Sequence, residues 1–203
     1  NLCAERPVTL VEDDPYGELR YRGTTLPTLR QYCPTSVLLG SFSKIVAPGL
    51  RLGWICAPRR LMDVIVTAKQ GVDLHSNYFS QRVVYQHLKD HDLDAHIEKI
   101  RELYGRQRDC MVAAIRRYLP PEVKASDPDG GMFLWLKLPA GVSVSRLLKV
   151  AIERKVAFVP GSAFFADSED DSHMRLNFSN SDESRIEEGI RRLGEAIREF
   201  GCC

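Results

Sequence analysis

The apolar residues in the first third of the chain fall into three short runs, at 8–11, 36–40 and 52–57. Each run is rich in β-branched or aliphatic residues and is bounded by acids, proline or glycine, a pattern typical of strands. About two dozen residues between the first two runs suit a parallel crossover, and about ten before the third favour an antiparallel pair. Because continuous apolar strands are usually covered on both faces, the runs predict an α/β layer.

A long amphipathic helix is predicted in the middle of the chain. Its apolar residues recur at steps of four, three, four, seven, four and three from Leu93 to Tyr118, and Pro120-Pro121 ends it. This spacing predicts about seven turns, or roughly 40 Å of helix. Shorter helices are predicted at 26–32 and 59–68. The long helix exceeds what one small domain needs, so we expect it to bridge two.

The last third of the chain has a mixed pattern. Strands are predicted at 132–138, 157–159 and 173–179, and helices at 145–155 and from a capping sequence at 181–184 to Phe200. We therefore divide the chain into part of a sheet domain at 1–90, a linker helix at 91–120 and a small α+β domain at 121–203. The first seven residues are predicted to form the end of a helix and a turn.

Composition narrows the class of protein. The 203 residues are 44% hydrophobic, enough for a core, and a net charge of +1 without a basic tract argues against nucleic-acid contacts. No apolar run approaches the roughly 20 residues of a membrane span, so we expect neither a membrane segment nor a signal peptide. Six cysteines without a C-x-x-C pair favour reduced thiols in a cytoplasmic protein. The five histidines lack the spacing of a metal site, so no metal is predicted.

Candidate chemistry centres on the turn after the second run. Ser41, Ser43 and Lys44 follow the end of an apolar strand, and Arg51 comes seven residues after Lys44. A lysine in apolar surroundings can act as a neutral amine that attacks a carbonyl. Two hydroxyls and a guanidinium suit a phosphate dianion. Together they suggest a covalently held, phosphorylated aldehyde cofactor; the alternative is a solvated lysine among ordinary turn residues.

Two further groups could complete such a site. Asp13 follows the first run, where a carboxylate near a ring nitrogen would keep that nitrogen protonated, and Tyr16 is spaced to reach a ring hydroxyl. The alternative is an acid-rich turn or a weak divalent-cation site. Arg175 lies on the polar face of the strand at 173–179. It either faces solvent or points into a cleft between domains, where it would bind an α-carboxylate through two parallel hydrogen bonds.

These motifs resemble a known family over essentially the whole chain. D-x-x-Y at 13–16, S-x-S-K at 41–44, P-G-x-x-F at 160–164 and M-R-L-N-F-S at 174–179 are similar to the fold-type I, pyridoxal-phosphate-dependent aminotransferases. The segments E-D-D-P-Y and G-S-F-S-K-x-x-A-P-G-L-R-x-G most resemble the 2-aminoadipate/kynurenine branch. They also resemble the aminotransferase-like half of GntR/MocR-type regulators.

The resemblance implies a role for each candidate residue. Lys44 would form the internal aldimine with pyridoxal 5'-phosphate and then move a proton between the substrate Cα and the cofactor C4′. Asp13 would pair with the pyridinium nitrogen and Tyr16 with the 3-hydroxyl. The phosphate would be held by Ser41, Ser43 and Arg51, and the substrate carboxylate by Arg175.

The implied fold is the C-terminal part of the large, cofactor-binding α/β domain, the linker helix, and a small α+β domain whose first strand opens at Gly130-Gly131-Met132-Phe133. The implied function is amino-group transfer between an α-amino acid and a 2-oxo acid by a cytoplasmic homodimer. The alternative is the effector-binding half of a transcription regulator. A family subunit also has a first half with no counterpart here, so the three strands should leave apolar faces and edges exposed.

Overall fold

The computed structural model describes residues 8–166 and 170–201 and divides the chain into two compact units, at 1–100 and 101–203. We describe each unit by itself. The helix tail and turn predicted for the first seven residues lie outside the described residues. None of the described helices combines the length and the apolar character that crossing a membrane requires.

The first unit contains a three-stranded sheet in the order β1-β2-β3. The strands are β1 at Val11–Asp13, β2 at Val37–Ser41 and β3 at Gly53–Cys56. β1 and β2 are parallel, whereas β2 and β3 are antiparallel, as the lengths of the two connections predict. The register places Asp13 beside Leu39 and Ser41 beside Gly53.

β1 begins later than its apolar run predicts. The strand contains Glu12 and Asp13 and starts at Val11, because pairing with Val37–Leu39 of β2 sets its bounds. The carboxylate of Glu12 has a partner outside the sheet. Glu12 Oε2 accepts a hydrogen bond of 2.8 Å from the backbone N–H of Leu29, the first residue of α1 at Leu29–Tyr32.

Two longer helices follow the sheet, and a third runs on into the second unit. They are α2 at Arg59–Val72, α3 at Tyr78–Asp90 and α4 at Leu93–Tyr118. The bounds of α4 confirm the long helix predicted from the apolar spacing. α3 was not predicted; it starts where the side chain of Asn77 accepts a 3.0 Å hydrogen bond from the backbone of Ser80.

The first unit buries few large side chains among its described residues. Its buried apolar side chains are Leu19, Val37, Ile45, Leu52, Val84 and Ile97. β3 is exposed along its length, with Trp54 43% and Ile55 42% accessible. This agrees with the expectation that three strands alone leave apolar surface uncovered.

The second unit has a four-stranded antiparallel sheet in the order β4-β5-β7-β6. Its strands are β4 at Lys124–Ala125, β5 at Phe133–Lys137, β6 at Val159–Pro160 and β7 at His173–Asn177. The sequence prediction that the strand after Gly130 comes first was wrong, since β4 precedes it. β4 has only two residues and exists through its pairing with β5, so it has no periodicity of its own.

Strand alternation builds the core of the second unit. Leu134 and Leu136 of β5 and Met174 and Leu176 of β7 are buried, while their neighbours in sequence are more exposed. The apolar stripes of α5 at Val144–Glu153 and α6 at Glu183–Glu199 are buried as well. The N-terminus of α6 is capped as predicted, because Asp182 Oδ1 accepts a 2.8 Å hydrogen bond from the backbone of Arg185.

Two glycines of α6 should respond oppositely to the same substitution. A Cβ on Gly194 would lie 2.3 Å from the carbonyl oxygen of Tyr118, whereas nothing lies within 4 Å of a Cβ on Gly189. We expect Gly194→Ala to lower the free energy of unfolding by about 1–3 kcal/mol through overpacking. Gly189→Ala should raise it by up to about 1 kcal/mol through helix propensity. Denaturant titration measures both, and equal effects would contradict this account of the helix contact.

The acid stability of α6 should depend on Glu188. Hydrogen bonds from Arg191 and then Arg192 lower the pKa of Glu188 from 4.5 to about 2. Its ion pairs therefore contribute fully above pH 4.5, and the contribution disappears as the pH falls toward 2. We expect Glu188→Gln to reduce the dependence of the free energy of unfolding on pH between 4.5 and 2, measured by urea unfolding at each pH. Glu122→Gln, at an exposed position, is the control, and a similar reduction there would contradict the assignment.

Candidate functional site

The candidate residues of the first unit converge on one edge of its sheet. β1 and β2 are parallel, so their carboxyl ends, at Asp13 and Ser41, meet at the same edge. β3 is antiparallel to β2, so the chain returns to that edge at Gly53. The loop at 42–52 therefore lies there too, and it contains the other residues predicted to hold the cofactor: Ser43, Lys44 and Arg51.

The loop at 42–52 is closed by backbone hydrogen bonds and held by two apolar side chains. Phe42 N–H donates to Leu52 O at 3.1 Å, and Val46 N–H donates back to Phe42 O at 2.8 Å. Ile45 and Leu52 are buried, which ties both sides of the loop to the unit. Lys44, which directly precedes Ile45, is half-buried.

Lys44 and Tyr16 come together although they are far apart in sequence. The ammonium nitrogen of Lys44 lies 6.0 Å from the centroid of the Tyr16 ring. Tyr16 directly precedes a 3₁₀ turn at Gly17–Leu19, and Leu19 is fully buried, which fixes the turn. An amine and a phenol thus share one side of the sheet edge, as a bound aromatic aldehyde would require.

The loop presents several donors suited to a phosphate. Ser41 Oγ accepts a 3.1 Å hydrogen bond from the backbone N–H of Ser43, which leaves the Ser41 hydroxyl hydrogen available to another acceptor. Arg51 has a left-handed backbone conformation, with φ of 55°, and its Nη1 donates to Pro48 O at 3.1 Å. The exposed guanidinium retains further N–H groups for an anion. The donor set therefore fits a phosphate group.

The structure distinguishes the three acids at the end of the first run. Glu12 binds the start of α1, and the Asp14 carboxylate covers Gly17, where an added Cβ would lie 2.0 Å from Asp14 Oδ2. Asp13 is exposed at the end of β1. Of the three, Asp13 is therefore the carboxylate that is best placed to face a ligand at this edge.

Arg175 belongs to the second unit, on β7, whereas the other candidates belong to the first. Its guanidinium carbon lies 4.1 Å from the ring centroid of Phe133 and 4.6 Å from that of Phe164. Its Nε is buried and has no hydrogen-bond partner among the described residues. The sequence reasoning did not identify the two phenylalanines, although the alternation of Phe133 and Trp135 with buried leucines marks an aromatic strand face.

In the part of the chain that the structure describes, no group of three or more histidine, cysteine, aspartate or glutamate side chains is arranged to hold a metal ion. The rings of His87 and His91 are 4.9 Å apart, and those of His87 and His96 are 6.3 Å apart. These histidines lie at the junction of α3 and α4, away from the residues of the sheet edge in sequence.

Comparison with known proteins identifies the family. The profile of the class I and II aminotransferases matches residues 1–193. The chain belongs to this family. Pyridoxal phosphate is the cofactor that this family membership implies.

Several aminotransferases are similar over nearly the whole chain. Aromatic-amino-acid aminotransferase 1 of Thermococcus litoralis is 43% identical over 98% of the chain, and 2-aminoadipate transaminase of Thermus thermophilus is 39% identical over 97%. The crystal structure of LysN, the α-aminoadipate aminotransferase of Thermus thermophilus in complex with N-(5'-phosphopyridoxyl)-L-leucine, matches with a TM-score of 0.93 over 98% of the chain. The chain spans about half of each relative, namely 48%, 51% and 52%.

Transcription regulators are also similar to this chain. The uncharacterized HTH-type transcriptional regulator YdcR of Escherichia coli is 31% identical over 98% of the chain, which covers 42% of that protein. The similarity thus includes both classes named from the sequence motifs, and the two enzymes named above, at 43% and 39%, are more identical to the chain than YdcR is at 31%.

Gly40 should be required for the strand pair that holds the loop. A Cβ on Gly40 would lie 2.2 Å from ring atoms of Trp54, its partner on β3, whereas nothing lies within 4 Å of one on Gly49. We expect Gly40→Ala to move Trp54 and to destabilise the first unit by about 1–3 kcal/mol. Tryptophan fluorescence during urea unfolding, in a Trp135→Phe background, measures both effects. Gly49→Ala is the matched control, and an equal change there would refute the contact.

Proposed function

We propose that the protein to which this chain belongs is a pyridoxal-phosphate-dependent aminotransferase, which transfers an amino group between an α-amino acid and a 2-oxo acid. The observation that supports this most directly is the convergence of Lys44, Tyr16 and the donor loop at one sheet edge. Family membership supports the same reaction class. When bound, pyridoxal phosphate supplies an electron sink for the electron pair left at the substrate Cα.

The loop at 42–52 would bind and orient the cofactor. The hydroxyls of Ser41 and Ser43 and the guanidinium of Arg51 would donate to the phosphate, which fixes its position through charge-assisted hydrogen bonds. Ile45 and Leu52 are buried and anchor the backbone of the loop that carries these donors. The Lys44 amine would bind the aldehyde carbon covalently.

The groups around Lys44 would control protons. Asp13, an exposed carboxylate at the end of β1, would keep a proton on the ring nitrogen, because a nearby negative charge favours the protonated form. Tyr16 would hydrogen-bond the ring hydroxyl. Lys44 Nζ would accept the proton from the substrate Cα.

Arg175 would bind the substrate carboxylate. A guanidinium can bind a carboxylate through two parallel hydrogen bonds. The unpartnered Nε of Arg175 is consistent with a ligand-binding role, because a buried donor without an acceptor is costly unless a ligand supplies one. Relatives named for 2-aminoadipate and aromatic amino acids make these substrate classes the first to test. The cytoplasmic, homodimeric state stays a prediction from the sequence.

A second candidate function is effector binding in a transcription regulator. The similarity to YdcR over nearly the whole chain favours it. Such a protein would use the same lysine and phosphate donors to hold the cofactor and an amino-acid effector. It would differ from the enzyme in releasing no oxo acid.

Covalent binding of the cofactor by Lys44 can be tested by trapping the adduct. We expect pyridoxal phosphate added to the protein to give a visible absorption band, and borohydride to fix the cofactor on Lys44, located by peptide mass spectrometry. Lys44→Ala should abolish the adduct, whereas Lys89→Ala, at an exposed position on α3, should retain it. Adduct formation spread over several lysines, or persisting in Lys44→Ala, would contradict the assignment.

The reaction of the cofactor-bound protein with amino acids then distinguishes the two candidate functions. Incubation with 2-aminoadipate or an aromatic amino acid should produce the corresponding 2-oxo acid, one equivalent per bound cofactor. Trapping at Lys44 without any oxo acid would instead favour the effector-binding function.

A further inference from the structure

An aromatic surface surrounds Arg175 on one face of the second sheet. Phe133 and Trp135 alternate along β5 with the buried Leu134 and Leu136, so they project to the opposite face. Trp135 is paired directly with Arg175. The Trp135 ring is also stacked on His173, with centroids 5.5 Å apart.

Two rings reach the Arg175 guanidinium from different strands. Phe133 comes from β5, on one side of β7, and its ring centroid is 4.1 Å from the guanidinium carbon. Phe164 follows β6, on the other side of β7, and its ring centroid is 4.6 Å away. Both distances are well inside the range of about 6 Å at which a ring face attracts a cation.

These contacts hold the side chain without using its hydrogen-bond donors. A ring face attracts the guanidinium through its quadrupole, whereas a carboxylate partner within the protein would occupy two N–H groups and neutralise the charge. The buried Nε of Arg175 has no acceptor among the described residues. The described residues therefore leave the positive charge of Arg175 without a carboxylate partner, while the rings limit the rotation of the side chain.

The P-G-x-x-F segment brings Phe164 to this position. Val159 of β6 pairs with Arg175, and the 3₁₀ turn at Gly161–Phe164 follows directly. Gly161 is buried against β7: an added Cβ would lie 2.5 Å from His173 Cβ and 2.8 Å from His173 O. Any larger residue would push the turn away from the sheet and lift Phe164 from the guanidinium.

We propose that Phe133 and Phe164 are positioning residues that hold Arg175 ready to bind the carboxylate of a substrate, and that Gly161 makes the second contact possible. This inference rests on the proposed function for its ligand. The contact between the rings and Arg175 is a property of the second unit alone. The positioning inference and the proposed function can therefore fail separately.

The contact can be measured without catalysis. In the 203-residue chain with ¹⁵N-labelled arginine, the Nε–H signal of Arg175, assigned by its loss in Arg175→Lys, should be shifted upfield by the ring currents. Phe133→Leu and Phe164→Leu should each remove part of that shift, and Gly161→Ala should mimic Phe164→Leu. Phe133→Tyr should retain it. Phe165→Leu is the matched control, because Phe165 packs on His173 and Trp135 instead. An unshifted Arg175 signal, or equal effects of Phe165→Leu and Phe164→Leu, would overturn the proposal.

A carboxylate titration tests the consequence for binding. Propionate should perturb the Arg175 signal, and each leucine variant should weaken its apparent affinity on the order of fivefold, within the range of cation–π contacts. In single-turnover half-transamination, the apparent dissociation constants for the amino acid and for the oxo acid should rise together with little change in the limiting rate constant. If the ring-current shift is present but propionate has no effect, the contact stands and the substrate role of Arg175 fails. If the variants bind propionate as tightly as the original protein, the positioning role is wrong.

Discussion

Everything at the candidate cofactor site depends on β2 pairing in opposite senses with its two neighbours. The parallel pairing with β1 brings Asp13 to the edge where β2 ends at Ser41, and the antiparallel pairing brings the chain back to that edge at Gly53. If β3 were parallel to β2, it would begin at the far edge, about 16 Å away for a five-residue strand. Arg51 would then be unable to join the serines around one phosphate. The short loop that forces the antiparallel return is thus also what assembles the donors.

The two units support their candidate residues to different degrees. The second unit buries the leucines of β5, Met174 and Leu176 of β7, and the apolar stripes of α5 and α6. β7, with Arg175, therefore rests on a well-packed core. The first unit leaves β3 exposed, and its loop is fixed mainly by Ile45, Leu52 and backbone hydrogen bonds. A ligand that binds only the folded state stabilises it by mass action. The stabilisation that a ligand gives to either unit is therefore set by its concentration and dissociation constant, and it adds to whatever the packing of that unit supplies.

The sequence was most informative where periodicity or connection length decides the structure. The apolar spacing of α4 predicted both of its ends. The lengths of the connections predicted that β2 pairs parallel to β1 and that β3 pairs antiparallel to β2. α3 was not predicted; only Val84 of this helix is buried, while Phe79, Val83 and Tyr85 are exposed. β4 consists of two residues defined only by their partner strand. Local patterns contain no information about such pairings.

The same reasoning explains why the motifs pointed to the residues proposed to contact ligands but not to the residues that position those side chains. Lys44 and Arg175 could be singled out because their chemistry is unusual for their positions. Phe133 and Phe164 are ordinary apolar residues whose effect on Arg175 arises from the strand order β5-β7-β6, a property of the folded sheet. Gly161 is similar, since its lack of a side chain matters only where the turn crosses His173. A supporting residue is defined by what it touches, so its role becomes visible only when the fold is known.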